Sequence, residues 1–173
     1  MKKQSIRKQF AITAIVLIAV TILICLLANV LFLERVYKGA RRTSDGFDFN
    51  RAALLLAVTE KRAGMKLSLF DAYINVIGGL RLDEPGADLP VVLAIASSYR
   101  DATIADDLVA IGDVGLTGEI RSVSHMNQRL QEVARLGFKK VIIPKYGSDK
   151  LEIPPSLTAY RVRNLREAIE TAM

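Results

Sequence analysis

The sequence is poor in the side chains that build metal centres and conventional hydrolytic triads. It has one cysteine, Cys25, one histidine, His125, and no tryptophan in 173 residues. A single cysteine cannot form an internal disulfide or a cysteine-rich metal site, and a single histidine excludes a histidine-rich one. A Ser-His-Asp triad would have to use His125. We therefore expect no metal and no bound cofactor.

Positive charge is concentrated near the N-terminus rather than spread over the chain. The formal net charge is +6, yet residues 43–173 hold 16 basic and 17 acidic residues. Because the body of the chain is near neutral, any binding to nucleic acid would have to use local patches of charge.

Charged residues are absent from residues 10–33, a run of 24 positions. At ~1.5 Å per residue, a helix of this length reaches the ~30 Å hydrocarbon thickness of a bilayer. The sequence predicts a basic head over 1–9, a single-pass transmembrane helix over 10–33, a polar linker over 34–45 and a folded domain over 46–173. The run is longer than a usual signal-peptide core. Equal numbers of basic residues flank it, so the positive-inside rule leaves its orientation open.

Helices and strands alternate in the rest of the chain. Helical spacing and capping residues predict a helix over Phe49–Ala63 after Asp48, a central apolar helix within 81–100, a helix capped by Ser124, and a last helix begun by Asn164 and Glu167. Alternating or short apolar runs predict strands over 73–77, 108–114, 119–123, 140–144 and 158–162. This order indicates an α/β class with α/β or α+β layers.

Four segments carry a family resemblance: RRTSDGFDFNRAALLLAVTEKRAG from Arg41, DAYINVIGGLRLDEPGADLPVVLAIASS from Asp71, GDVGLTGEIRSV from Gly112 and LGFKKVIIPK from Leu136. Together they resemble the C-terminal domain of the bacterial RadA (Sms) recombination and repair proteins. The resemblance implies the ribosomal protein S5 domain 2-like fold that this domain shares with the Lon proteolytic domain. It also implies a cytoplasmic setting, in contrast to the predicted membrane anchor.

The resemblance to Lon extends to the positions of its serine and lysine but not to their identities. The turn that holds the Lon serine corresponds to residues 84–88, where Gly86 takes the place of the serine. The run that begins with the Lon lysine corresponds to residues 127–130, where Asn127 takes the place of the lysine. Glycine has no nucleophile, and an asparagine amide cannot act as a base near neutral pH. We therefore expect a degenerate dyad and no peptidase activity.

Other polar residues offer weaker candidates. Ser122, Ser124 and His125 are close in sequence, but no partner acid is placed by spacing. The acidic residues Asp83, Glu84 and Asp88 fit the start of a helix, where negative charge is favoured, better than a metal site. Neither glycine pair, at 78–79 or at 115 and 118, is followed by the Lys-Ser or Lys-Thr of a P-loop, so the ATPase activity of the family cannot be carried over.

The resemblance implies a homo-oligomer, in the family a hexameric ring, and a surface that contacts DNA. The DNA-binding candidates are Arg121, Arg129, Arg135, Lys139 and Lys140, with a second basic group at Lys61, Arg62 and Lys66. An ordinary solvated polar face is an equal alternative for both groups. We interpret the chain as a non-proteolytic RadA-type scaffold domain. A Ser/Lys peptidase with a rearranged site and a membrane-anchored interaction module are the alternatives.

Overall fold

A computed structural model describes residues 42–173. The predicted basic head, the predicted transmembrane helix over 10–33 and most of the predicted linker lie outside the described residues. Within 42–173, no helix is both long enough and apolar enough to cross a membrane.

Four helices and seven strands make up the described chain. In chain order they are β1 Arg42–Asp45, α1 Phe49–Ala63, β2 Ala72–Asn75, α2 Asp88–Arg100, β3 Leu108–Ala110, β4 Asp113–Val114, β5 Ile120–Arg121, α3 Met126–Arg135, β6 Lys140–Pro144, β7 Thr158–Val162 and α4 Leu165–Ala172. Two short 3₁₀ turns, Leu67–Leu69 and Pro85–Ala87, precede β2 and α2. The predicted α/β class is confirmed.

The strands form three small sheets. β1 and β2 pair in parallel, β4 and β5 pair antiparallel, and β3, β6 and β7 form a parallel sheet with β6 at its centre. The pairing of β1 with β2 corrects the expected domain boundary, because Arg42–Asp45 is a strand rather than linker. The folded domain therefore starts earlier than residue 46.

Two hydrophobic clusters hold these elements together. The larger one joins the inner faces of α1, α2 and α4, with Leu55, Leu89 and Ile169 fully buried. The smaller one packs α3 on the three-stranded sheet through Leu130, Val141 and related residues. Burial of these large aliphatic side chains is worth roughly 1.5–3 kcal/mol each.

The helix ends show where local sequence determined the structure. The Asp48 side chain accepts a hydrogen bond from the Arg51 amide at 2.7 Å, and Gly64 ends α1 in the left-handed region at φ 73°. The Asn164 side chain likewise caps α4 by accepting from the Glu167 amide at 3.0 Å. The predicted cap at Ser124 is wrong, because His125 occupies the N-cap of α3 at φ 57° and no side chain caps it.

Two predicted elements are interrupted in the structure, and backbone hydrogen bonds of Gly112 join the two places. The central helix begins only at Asp88, after the separate Pro85–Ala87 turn. The predicted strand over 108–114 is divided into β3 and β4, with Gly112 between them. The Gly112 amide donates to the Gly86 carbonyl at 3.3 Å, and its carbonyl accepts from the Leu89 amide at 3.1 Å. Gly112 therefore attaches the 3₁₀ turn and the start of α2 to the β3–β4 connection.

Candidate functional site

Gly86 lies buried in the Pro85–Ala87 turn, at the entrance to α2. Its amide donates to Glu84 Oε1 at 3.4 Å, and its carbonyl accepts from Gly112. Both backbone groups of Gly86 are therefore satisfied within the fold. In sequence, this turn resembles the one that holds the Lon serine, and at position 86 it carries no side chain.

Arg129 from α3 lies beside Gly86. A Cβ placed on Gly86 would be 3.6 Å from Arg129 Nη1, from Glu84 Oε1 and from Val123 Cγ2. Arg129 Nη2 forms an ion pair with Glu84 Oε1 at 3.0 Å, and Arg129 Nε donates to the Ser124 carbonyl at 2.9 Å. The position therefore has room for a small side chain, and its neighbours would be an ion pair and a valine.

Asn127 uses its side chain for a structural contact. It lies exposed on the first turn of α3, and its Oδ1 accepts a hydrogen bond from the Glu152 amide at 3.1 Å. This bond fastens the loop between β6 and β7 to the helix. Among the described residues, the Asn127 side chain bonds this loop and forms no hydrogen bond with the Gly86 turn.

A charged network that the sequence did not reveal lies on the other side of the turn. Arg51 of α1 bonds both carboxylate oxygens of Asp88, with Nε at 3.0 Å from Oδ1. Its Nη2 also donates to Asp113 Oδ1 at 2.8 Å and to the Val114 carbonyl at 3.1 Å. Arg121 in turn bonds Asp113 Oδ2, with Nη2 at 2.7 Å. One guanidinium thus links α1, α2 and β4.

Burial dominates the electrostatics of Asp88. Its side chain is 2% exposed, and this burial raises the pKa of the Asp88 carboxyl above its ordinary value, although the Arg51 guanidinium and the Val114 amide act in the opposite direction. The hydrogen bond to Asp88 raises the pKa of Arg51. Since each group is held by several partners inside the fold, the network is structural.

The three acidic residues near this turn do not face one another. Asp83 pairs with Arg81, Glu84 pairs with Arg129, and Asp88 pairs with Arg51. In the part of the chain that the structure describes, no group of three or more acidic, histidine or cysteine side chains is placed to hold a metal ion.

Four of the five predicted DNA-binding residues are already paired with carboxylates. Arg121 pairs with Asp113, Arg129 with Glu84, Arg135 with Glu132 and Lys140 with Asp107. Lys139 is exposed, and it has no ion-pair partner among residues 42–173. The paired cations are less suited to phosphate than the sequence indicated, because a phosphate would have to compete with the carboxylate already in place.

Three other exposed arginines, one of them packed on Gly118, offer a different candidate surface. The side chain of Arg62 packs on Gly118, so that a Cβ placed there would be 2.9 Å from Arg62 Cγ. The Gly118 carbonyl accepts from the Leu165 amide at 2.9 Å, and Arg163 and Arg166 lie within two positions of Leu165 in sequence. All three arginines are exposed, and within the described chain their guanidinium groups form no ion pair. We name Arg62, Arg163 and Arg166 the Gly118 arginine patch.

Sequence reasoning found only part of this patch. Arg62 belonged to the second basic group with Lys61 and Lys66, which are also exposed and unpaired in the described chain. Arg163 and Arg166 were missed because they are more than 90 positions from Arg62 in the sequence. The one local signal was the glycine-containing turn at 115–118, which permits the close approach of Arg62.

Comparison with known protein families gives a match over half of the chain. A family model described as ChlI, subunit ChlI of Mg-chelatase, matches residues 61–147. The matched region runs from the end of α1 to the residues just after β6. It therefore contains the Gly86 turn, both dyad positions and the five predicted DNA-binding residues.

Several curated relatives are named DNA repair protein RadA. The one from Listeria monocytogenes is 43% identical over 138 residues, which is 80% of this chain and 30% of the relative. Those from Halalkalibacterium halodurans and Bacillus subtilis are each 47% identical over 133 residues, covering 77% of this chain and 29% of the relative. The chain therefore spans about a third of the length of the relatives it matches.

Proposed function

We propose a function for this chain from two findings. The chain belongs to the family described as subunit ChlI of Mg-chelatase, and it is homologous to the DNA repair protein RadA. The proposed function is that of a non-proteolytic scaffold domain in RadA-type DNA repair. In this role the domain would assemble with further copies of itself and contact the DNA backbone. The observation that carries the proposal is the identity of 43–47% to RadA proteins over more than three quarters of the chain.

The geometry at the two dyad positions supports a non-proteolytic role. Position 86 carries no nucleophile, and the Asn127 amide is occupied by the loop at Glu152. Serine-lysine catalysis needs a hydroxyl and a neutral amine within hydrogen-bond reach of each other. Neither group is present at these positions. In this proposal the turn instead connects α2 to the β3–β4 segment through the backbone hydrogen bonds of Gly112.

The Gly118 arginine patch supports a contact with DNA. Binding to phosphate needs arginine or lysine side chains that are free to exchange their counterions, and it needs no special geometry. The three arginines of the patch meet this requirement better than Arg121, Arg129, Arg135 or Lys140, each of which already has a carboxylate partner. We therefore place the DNA contact on the patch, with Lys139 as a separate candidate.

Salt-dependent DNA binding tests this proposal. The full chain, in a non-ionic detergent, is titrated with fluorescent forked DNA between 50 and 200 mM salt, conditions in which phosphate contacts are strongly salt-dependent. Each phosphate contact should contribute about 0.9 to the slope of log K against log salt. Replacing Arg62, Arg163 and Arg166 by alanine should reduce the magnitude of this negative slope by roughly 2 to 3.

Arg121→Ala and Arg135→Ala are the matched controls, because these arginines are exposed but already paired. They should leave the slope nearly unchanged. If the full chain does not bind DNA at low salt, the DNA part of the proposal is wrong. If binding persists but the controls lower the slope more than the patch variant does, the contact lies on the faces that the sequence indicated.

A rearranged peptidase is the first alternative, and Ser122 and Ser124 are its candidate nucleophiles. Both are exposed, and within the described residues neither hydroxyl has a hydrogen-bonded base. Hydrolysis of casein by the full chain that is lost in Ser122→Ala or Ser124→Ala would support this alternative. Such a result would also end the scaffold proposal in its non-proteolytic form.

A membrane-anchored interaction module is the second alternative. The observation that favours it is the uncharged run over residues 10–33. Fractionation of cells that express the full chain, followed by carbonate extraction, tests the anchor. Retention in the membrane pellet together with absence of salt-sensitive DNA binding would favour this alternative over the scaffold.

A further inference from the structure

Three exposed aromatic residues line one apolar groove. The groove has a volume of about 550 Å³ and lies between β2 and the outward face of α2. Phe70, Tyr73 and Tyr99 belong to its walls, and they are 56%, 66% and 38% exposed. The whole chain has six phenylalanines, five tyrosines and no tryptophan. Three exposed rings at one groove are therefore a local concentration of a residue type that is scarce elsewhere.

Two of these rings, Phe70 and Tyr99, form a pair at one end of the groove. They meet edge to face, with ring centroids 5.7 Å apart. The Tyr99 hydroxyl is held in place, because it accepts a hydrogen bond from the Lys66 amide at 3.2 Å. An edge-to-face pair leaves ring surface uncovered, and more than half of Phe70 is exposed to solvent. The pair therefore offers a positioned flat surface to a ligand.

An unpaired cation lies beside this aromatic pair. Lys66 is exposed, and its ammonium group forms no ion pair with any described residue. Arg62 of the Gly118 arginine patch precedes Lys66 in the chain, across the turn at Gly64 that ends α1. Aromatic side chains that stack on bases, next to lysine or arginine that contacts phosphate, are the usual means of binding single-stranded nucleic acid.

The acidic residues around the pair limit the contribution of charge. The Glu60 carboxylate accepts from the Ser68 amide at 2.9 Å and from its hydroxyl at 2.7 Å. Asp71, the one charged residue in the groove wall, is engaged in a contact of its own. Arg100 and Asp101, at the end of α2, offset each other in formal charge. Affinity at this groove would therefore come from stacking, with Lys66 as a phosphate contact.

We propose that the groove binds unpaired bases of single-stranded DNA, which stack on Phe70, Tyr73 and Tyr99. Every base has a flat face that can stack, so the site would accept any sequence. In a duplex these faces are covered by neighbouring bases, so the site would favour single strands over double strands. The Gly118 arginine patch contacts only the backbone and lacks this discrimination. The inference rests on the proposed function and names the form of DNA that this second site takes.

Binding of single-stranded and duplex DNA by the full chain, in a non-ionic detergent, tests the inference. The probes are a fluorescent oligothymidylate and a fluorescent blunt duplex. Phe70→Leu and Tyr73→Leu should each weaken oligothymidylate binding by roughly fivefold or more, the equivalent of one lost base stack. Duplex binding should not change. The slope of log K against log salt should also stay the same, because stacking releases no counterions.

Tyr146→Leu is the matched control for these variants. Tyr146 is 67% exposed in the loop between β6 and β7, and it is not among the residues that line the groove. The substitution should leave binding of both probes unchanged. Equal far-UV circular dichroism of all variants establishes that they remain folded.

A tryptophan variant separates stacking from a merely apolar or structural role. Because the natural chain has no tryptophan, Phe70→Trp introduces a single fluorescent indole at the groove. This variant keeps an aromatic face, so it should retain oligothymidylate binding, and the bound bases should quench its fluorescence. Tyr146→Trp should show no quenching. A groove that served an apolar protein segment would instead tolerate leucine at position 70.

The inference and the proposed function can fail separately. Oligothymidylate binding that both leucine variants leave unchanged overturns the inference, and so does a Phe70→Trp fluorescence that the oligonucleotide does not quench. Duplex binding that still depends on the Gly118 arginine patch would then leave the proposed function intact. Loss of oligothymidylate binding in the leucine variants, with binding retained and fluorescence quenched in Phe70→Trp, supports the inference. Absence of binding to either probe overturns both.

Discussion

Arg129 lies in van der Waals contact with the position that a side chain on Gly86 would occupy, with Nη1 3.6 Å from the ideal Cβ. The same guanidinium pairs with Glu84, which accepts from the Gly86 amide. A side chain of α3, about 40 residues further along the chain, thus covers the turn that precedes α2. The Arg129–Glu84 ion pair therefore packs against the turn that precedes α2.

Gly86→Ala should stabilise the protein by about 0.4–1 kcal/mol. The backbone of Gly86 is not in the left-handed region, and the added methyl would meet its neighbours at ordinary contact distance. The substitution mainly reduces the conformational freedom of the unfolded chain. Urea denaturation of the full chain measures the free energy of unfolding. Gly118→Ala is the contrasting variant and should destabilise, because Gly118 has φ +83° and its Cβ would lie 2.9 Å from Arg62 Cγ.

Arg51→Ala should lower the free energy of unfolding by about 3 kcal/mol, near the lower end of what breaking a buried ion pair costs. The substitution leaves the Asp88 carboxylate, 2% exposed, without its guanidinium partner. Arg81→Ala is the control, since Arg81 and Asp83 form an exposed pair that is worth ~0–1 kcal/mol. Equal effects of the two variants in urea denaturation would show that the network around Asp88 contributes little.

Acidification should favour the wild-type chain over Asp88→Asn. Burial raises the pKa of Asp88 in the folded state, so the folded chain binds the proton more tightly than the unfolded chain does. This group therefore adds stability as the pH falls through its folded pKa toward the unfolded value of ~3.9. The difference in free energy of unfolding, wild type minus Asp88→Asn, should increase between neutral pH and pH ~4. A decrease over this range would mean that the ion pair with Arg51 outweighs burial.

Asn127→Ala should loosen the loop between β6 and β7 more than it affects global stability. It removes one exposed hydrogen bond, to the Glu152 amide, which is worth roughly 0.5–1.5 kcal/mol. Hydrogen exchange at the Glu152 amide should accelerate, and limited proteolysis should cut the loop sooner. Gln128→Ala, at the neighbouring exposed position of α3, is the control and should change neither. Unchanged exchange in Asn127→Ala would show that the loop is held by other contacts.

Local signals in the sequence predicted the helix ends that depend on neighbouring residues. Asp48 and Gly64 bound α1, and Asn164 begins α4, because a cap forms within three or four positions of the chain. The side-chain cap of α3 was placed at Ser124, one residue too early, since the left-handed backbone of His125 at the N-cap is not encoded by a capping residue. The end of the linker was misplaced for a similar reason. β1 exists because it pairs with β2, 30 positions later.

The candidate site was predicted in part. The resemblance to RadA and Lon identified Gly86 and Asn127. The comparisons show homology to RadA proteins over more than three quarters of this chain, and the roles of these two residues stay predictions. The partners of the charged residues could not be predicted, because Arg51 reaches Asp88 across 37 positions and Arg129 reaches Glu84 across 45. A count of charges in the sequence does not show which arginines are paired with a carboxylate. The structure shows which arginines form ion pairs and which form none among the described residues.

The parallel sheet of β3, β6 and β7 has a consequence for the rate at which the chain folds. Leu108 pairs with Lys140 and Lys140 pairs with Thr158, so each neighbour is reached only after a long crossover. The entropy of closing these loops is lost before β6 gains either partner. We expect the central strand to be the slowest region to acquire protection in refolding, after α1 and α4. Pulse-labelling hydrogen exchange at the amides of Val141 and Ile142 would time this step.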